Sequence, residues 1–190
     1  MSAREPEFAI ADTCFLIDWA RYRHRDVLFK LFKTVFVPET ILREVKSENT
    51  IAWIASNLAK GRLTLYTETA DVVSEATSIV EASKRSPHLI SVELPEAVCL
   101  AVGRRRGYVV LTENRGLILF SSISSDYRDV AIWRALEVIA MASLKELLEI
   151  ECSDLEARFK EYEEDTKHLF PRRDLSRVVE VLRVELCRSR

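Results

Sequence analysis

The segment from Leu94 to Asn114 constrains the fold of this chain more than any other. Leu94-Pro95-Glu96 leads into an apolar helical stretch that ends in Arg104, Arg105 and Arg106, and Gly107 follows as a helix stop. Tyr108-Val-Val-Leu-Thr112 is then apolar at nearly every position, the pattern of a parallel strand covered on both faces. Parallel strands need crossover connections, usually helices, and the rest of the chain supplies them. Residues 8–12 read as a strand running into a helix that reaches Arg23, residues 26–33 as a helix, and residues 34–37 as a strand. Pro38 opens a helix that carries Glu44 in its second turn, and residues 51–59 form another. Residues 63–66 form a strand, residues 70–84 a helix, and residues 128–132 offer one more strand. Helices dominate from there to the end, where Ser143 with Glu146 and Ser153 with Glu156 match the capping-box pattern. The expected class is α/β: a three-layer sandwich with a central, mostly parallel sheet flanked by helices, plus a helical C-terminal extension.

With 190 residues, 48% of them apolar, the chain suffices for one good core. Lys plus Arg number 28 against 30 Asp plus Glu, so the formal charge of −2 excludes a basic protein that coats nucleic acid, and any such site is local. No apolar run reaches the roughly 18 residues of a membrane span, and the acid-bearing N-terminus resembles neither a signal nor a transit peptide, which points to a cytoplasmic protein. Cys14, Cys99, Cys152 and Cys187 lie far apart among apolar neighbours without zinc-ligand spacing, and read best as buried thiols. Gln is absent and Asn occurs three times beside abundant Glu, Lys and Arg, a composition of proteins from hot environments, where an intracellular disulfide is tolerated.

In an open parallel sheet, ligands bind beyond the carboxyl ends of the strands. Asp12 ends the first strand, Thr112-Glu113-Asn114 end the strand after Gly107, Glu96 lies in the first turn of the helix feeding that strand, and Glu44 follows the second strand. Acids gathered there without lysine beside them repel one another unless a cation joins them, and hard oxygen ligands suit Mg²⁺ or Mn²⁺. Such a centre suits phosphodiester hydrolysis. Asp12 alone reads equally well as a helix N-cap.

The chain resembles the PIN-domain family of metal-dependent ribonucleases, in particular its prokaryotic VapC-like members. The resemblance rests on Asp12-Thr13, on Val37-Pro-Glu-Thr-Ile-Leu-Arg-Glu44, on Glu96-Ala-Val-Cys-Leu-Ala101 and on Leu111-Thr-Glu-Asn-Arg-Gly116, and covers about residues 8 to 135. It implies a PIN-like unit over residues 1–140, with residues 141–190 as an extension on the same core. It also implies that Asp12, Glu44 and Glu96 are metal-site acids, supported by the hydroxyls of Thr13 and Thr112. The family's fourth acid falls at Asn114, which keeps an oxygen but no charge; Glu113 beside it is the other residue able to complete the metal set. Glu93, three residues before Glu96, is expected to precede the helix because of Pro95. RNA substrate, a small antitoxin that covers the cleft, and homodimerisation follow from the same resemblance.

The basic, aromatic segment Arg21-Tyr-Arg-His-Arg25 is the best candidate for RNA contact through Arg21, Arg23 and Arg25. Arg104 to Arg106 read more simply as complements to a helix C-terminus. His24, His88 and His168 are isolated in sequence and receive no catalytic part, and Trp19, Trp53 and Trp133 read as core or interface anchors. A second class of function is a PIN-like binding scaffold, with Asn114 marking a lost second metal and residues 154–190 recruiting a partner. A phosphatase-like use of Asp12 as nucleophile is disfavoured, because no second Asp stands two residues on.

Overall fold

The computed structural model describes residues 7–85 and 90–187. The chain opens with β1 (Phe8–Ala11) and turns at Asp12 into α1 (Thr13–Trp19). A 3₁₀ turn (Arg25–Val27) and α2 (Leu28–Leu31) lead to β2 (Thr34–Pro38), α3 (Glu39–Glu44), α4 (Glu48–Ala59), β3 (Leu63–Tyr66) and α5 (Ala70–Lys84). Next come α6 (Leu94–Arg106), β4 (Val109–Leu111), α7 (Arg115–Ile123), β5 (Ile132–Trp133) and α8 (Ala135–Leu144), and α9 (Ala157–Thr166) and α10 (Arg172–Cys187) close the fold.

The five strands form one all-parallel sheet in the order β3-β2-β1-β4-β5, flanked by helices. The architecture is therefore the expected α/β one. The chain first builds outward from β1 through β2 to β3, then returns through α5 and α6 to place β4 on the other side of β1. This reversal leaves a crevice between β1 and β4 at their carboxyl ends, where ligands of open α/β sheets bind. Ala9, Ile10, Ala11, Val109, Val110 and Leu111 are all fully buried, as the unbroken apolar runs imply. α6 is buried from Pro95 to Gly103 and ends at Gly107 in the left-handed conformation (φ +69°).

Several local expectations are corrected. α1 stops at Trp19 rather than reaching Arg23, because the Trp19 indole N–H donates to the Arg25 carbonyl at 2.9 Å and the turn buries Tyr22 against Tyr162. Neither predicted capping box forms. Ser143 sits inside the last turn of α8, donating to the Ile139 carbonyl, and Ser153 donates to Glu151 ahead of α9. At the start of α8 only the acid half of such a box forms: the Glu137 carboxylate accepts the Arg134 N–H at 2.8 Å, and the guanidinium, a donor only, cannot accept the Glu137 N–H in return.

The free-thiol reading holds for buried Cys99; Cys14 is free but exposed, and Cys152 and Cys187 are joined by a disulfide. The bridge staples the end of α10 to the loop before α9. α8 runs without a break through residue 140, and Phe159, Tyr162, Leu175 and Leu182 of α9 and α10 join the core that the sheet builds. Among the described residues no helix is long and apolar enough to cross a membrane.

Candidate functional site

Register places the first acid. Ala11 pairs with Leu111, and the next N–H, that of Asp12, donates to the Leu111 carbonyl at 3.0 Å, which holds Asp12 beside Thr112 at the crevice. The Asp12 Oδ1 accepts the Phe15 N–H at 2.8 Å and so caps α1, while Oδ2 accepts the Thr112 hydroxyl. Thr112 Oγ1 accepts the Asn114 N–H at 2.9 Å. The Asn114 side chain spends its oxygen on the Leu117 N–H (3.0 Å), capping α7, and donates through Nδ2 to Glu96 Oε1 at 3.2 Å. One chain of hydrogen bonds thus joins the ends of β1 and β4 to the first turn of α6. Glu96 Oε2 is buried with no partner.

Glu93 is the N-cap residue of α6, ahead of the first turn, as Pro95 implies. Glu44 ends α3 at the rim, its Oε2 accepting the Thr13 hydroxyl at 3.0 Å. Asp12, Thr13, Glu44, Glu96, Thr112 and Asn114 are therefore brought to one edge of the sheet.

Burial pushes the Asp12 carboxyl up to about 7, against the downward pull of the Thr112 and Phe15 bonds and with added repulsion from Glu96 and Glu113. Burial also raises Glu96, helped by Glu93 and Glu44. The neighbouring Cys14 residue is exposed overall, but the desolvated surroundings of its thiol, with the charges of Asp12, Glu96, Asp18 and Glu44, push it up to about 12. Among the described residues no Lys, Arg or His forms an ion pair with Asp12, Glu44 or Glu96. Two buried carboxyls without a counter-charge, one keeping a free oxygen, form a donor set of hard oxygens that fits Mg²⁺ or Mn²⁺. Among the described residues no three His, Cys, Asp or Glu side chains are already gathered into a metal site.

Glu113 is engaged elsewhere. Its Oε1 accepts the Ala135 N–H at 2.7 Å, at the start of α8, and its Oε2 lies 3.4 Å from His168 Nε2. Burial raises this carboxyl, while the His168 and Arg134 charges oppose the rise. His168 Nδ1 lies 3.0 Å from Asp18 Oδ2, and Asp18 raises the imidazole above its usual range. Sequence isolation hid His168: the extension carries it across the fold to the edge where Glu113 stands, and no spacing in the chain signals that meeting. A cavity of about 330 Å³, lined by Arg115, Arg134, His168 and Phe170 among others, opens beside Glu113.

The basic segment divides. Arg23 is a strut, holding Asp165 through Nε and Nη2 (Nη2 to Oδ1, 2.7 Å) and reaching Glu164, so it is not free for RNA. His24 meets Glu161 of the same helix at 2.9 Å, and His88 lies outside the described residues. Arg21 and Arg25 remain exposed. Arg104 and Arg105 pair with Glu75 and Asp71 of α5. No protein-family model and no curated protein matches this chain.

Proposed function

We propose that this protein is a metal-dependent endoribonuclease in which Asp12 and Glu96, with Glu44 at the rim, hold Mg²⁺ or Mn²⁺. The observation that supports this reading above others is the burial of Asp12 and Glu96 at the crevice with no basic partner and with one Glu96 oxygen unspent. A bound divalent cation supplies charge neutralisation for a phosphodiester and lowers the pKa of water that it binds. The chain's own groups prepare for it. Thr112 and the Phe15 N–H fix both Asp12 oxygens in place, Asn114 fixes Glu96 through Oε1 and leaves Oε2 available, and Thr13 holds Glu44 near the rim. Asn114 spends its amide oxygen on α7, which favours one cation over two.

The same use of Asn114 favours, as a second reading, a PIN-like scaffold of weakened activity. Two measurements separate them. The nuclease reading expects single-stranded RNA to be cleaved with Mn²⁺ or Mg²⁺, and Asp12→Asn and Glu96→Gln each to lose at least a hundredfold of that rate, since catalytic metal ligands contribute several kcal/mol. Calorimetric silence toward Mn²⁺, with RNA bound but uncut, selects the scaffold. The resemblance extends the proposal to a toxin held by a small acidic-cleft inhibitor and to a homodimer, for which co-purification with the product of a neighbouring reading frame is the test.

A further inference from the structure

The sequence motif of residues 21–25 is only partly used by the fold, and what remains of it lies in a groove. One face of α4 and its C-cap supply Asn49, Ala52, Trp53, Ser56, Asn57 and Lys60, spaced three and four apart as neighbours on a helix surface are, and Ala20, Arg21, Arg25, Asp26 and Arg62 complete the lining. The space is about 530 Å³. It holds four cations and one carboxylate, in a chain whose overall charge is −2. Asp26 meets Arg62 at 3.5 Å and Arg25 donates through Nη1 to the Ala20 carbonyl, while among the described residues no carboxylate pairs with Arg21, Arg25 or Lys60. α4 begins four residues after Glu44 and ends at Ala59, so the groove starts near the rim of the acidic site and follows the helix for about 18 Å.

We infer that this groove binds the backbone of single-stranded RNA that leads to or from the carboxylate site, an inference that rests on the ribonuclease reading. Three features favour RNA over an acidic protein. None of the large exposed hydrophobics lies in the groove, so a protein partner would find no apolar anchor there. The four cations come from three segments, Arg21 and Arg25 after α1, Lys60 at the end of α4 and Arg62 just beyond it, and converge on one groove as a chain of phosphates requires. The Trp53 indole N–H and the Asn57 amide oxygen, on the lining stripe and buried, have no partner. They are one donor and one acceptor, the pair that a ribose 2′-hydroxyl can satisfy and deoxyribose cannot.

The test is fluorescence anisotropy with a short labelled single-stranded RNA, and DNA of the same sequence, on the full chain in EDTA so that nothing is cut. Four phosphate contacts predict a slope of log affinity against log salt of about −2.8, a loss of about fiftyfold between 50 and 200 mM salt. In Arg21→Gln/Arg25→Gln the slope falls to about −1.4, and in the variant that also carries Lys60→Gln and Arg62→Gln binding is lost, while a cooperative melting transition shows that each variant is folded despite the Arg25–Ala20 and Arg62–Asp26 contacts it gives up. Trp53→Phe keeps the salt slope and erases the preference for RNA over DNA. Wild-type slope and affinity in the fourfold variant overturn the groove while leaving cleavage at Asp12 untouched. Failure of wild-type protein both to bind and to cut RNA overturns the nuclease reading and the groove with it. Binding of polyglutamate as tightly as RNA overturns the RNA assignment in favour of an acidic protein ligand.

Discussion

Replacing Asp12 with Asn should stabilise the metal-free protein at pH 8. An unfolded Asp ionises near 3.8, but burial holds the native carboxyl protonated until about pH 7. Between those values the unfolded state releases a proton that the native state keeps, so native stability falls as pH rises, and it stays level above pH 7. At about 1.4 kcal/mol per tenfold, the whole interval is worth about 4 kcal/mol, and the part between pH 5 and pH 8 about 3. Glu96, raised for the same reason, adds to the loss with the same sign. Asn at this position still accepts the Phe15 N–H. Its amide would have to donate to Thr112 Oγ1, which already accepts the Asn114 N–H, so the Thr112 hydroxyl loses its acceptor at a cost of about 1 kcal/mol. The net expectation at pH 8 in EDTA is a gain of about 2–3 kcal/mol, or on the order of 5–10 °C in Tm for a chain of this size. At pH 5 the gain is within about 1 kcal/mol of zero. Calorimetric or dichroism melts at both pH values check it. An Asp12→Asn protein less stable than wild type at pH 8, or a wild type whose Tm in EDTA rises from pH 5 to pH 8, would refute the reasoning that Asp12 is an uncompensated buried acid. Excess Mn²⁺ should raise the wild-type Tm at pH 8 and leave that of the variant where it was.

Other expectations follow from packing and covalent structure. The Cys152–Cys187 bridge spans 35 residues, and the loop-closure entropy it removes from the unfolded chain predicts that Cys187→Ser costs about 4 kcal/mol, read from denaturant midpoints with and without reductant. Gly116, on the first turn of α7, lies against the Ile90 carbonyl: a Cβ there would sit 2.6 Å from that oxygen, so Gly116→Ala should cost about 1–3 kcal/mol in the same assay. Phe159→Ala, in the C-terminal extension, should cost about 3–5 kcal/mol and leave a single unfolding transition, because the ring is fully buried in the shared core. Two separate transitions would show that the extension is a unit of its own.

The parts of the fold that were legible in the sequence are those decided by short-range periodicity. The bounds of α5 and β3, the stop at Gly107 and the placement of Glu93 before α6 all follow from patterns within one element. The convergence of Asp12, Glu96 and Asn114 was legible as well, because in a parallel sheet each acid's position relative to its strand end assigns it to the same edge. What depended on tertiary meeting was not legible. Arg23 looks available to phosphate until α9 brings Asp165 to it, and His168 looks solitary until the extension carries it to Asp18 and Glu113. The four cysteines have no spacing that distinguishes the pair joined across α9 and α10 from the two that stay free. The capping-box pattern failed at Ser143 for a related reason: it cannot tell a helix that starts there from one that is ending.

The most direct test of the carboxylate centre is diffraction at the manganese edge from crystals soaked in Mn²⁺ at pH 8. The account predicts an anomalous peak at the carboxyl end of β1 and β4, in contact with Asp12 and with the Glu96 oxygen that has no partner in the metal-free protein. A peak at Glu113 and His168 instead, or none at saturating Mn²⁺, would contradict it.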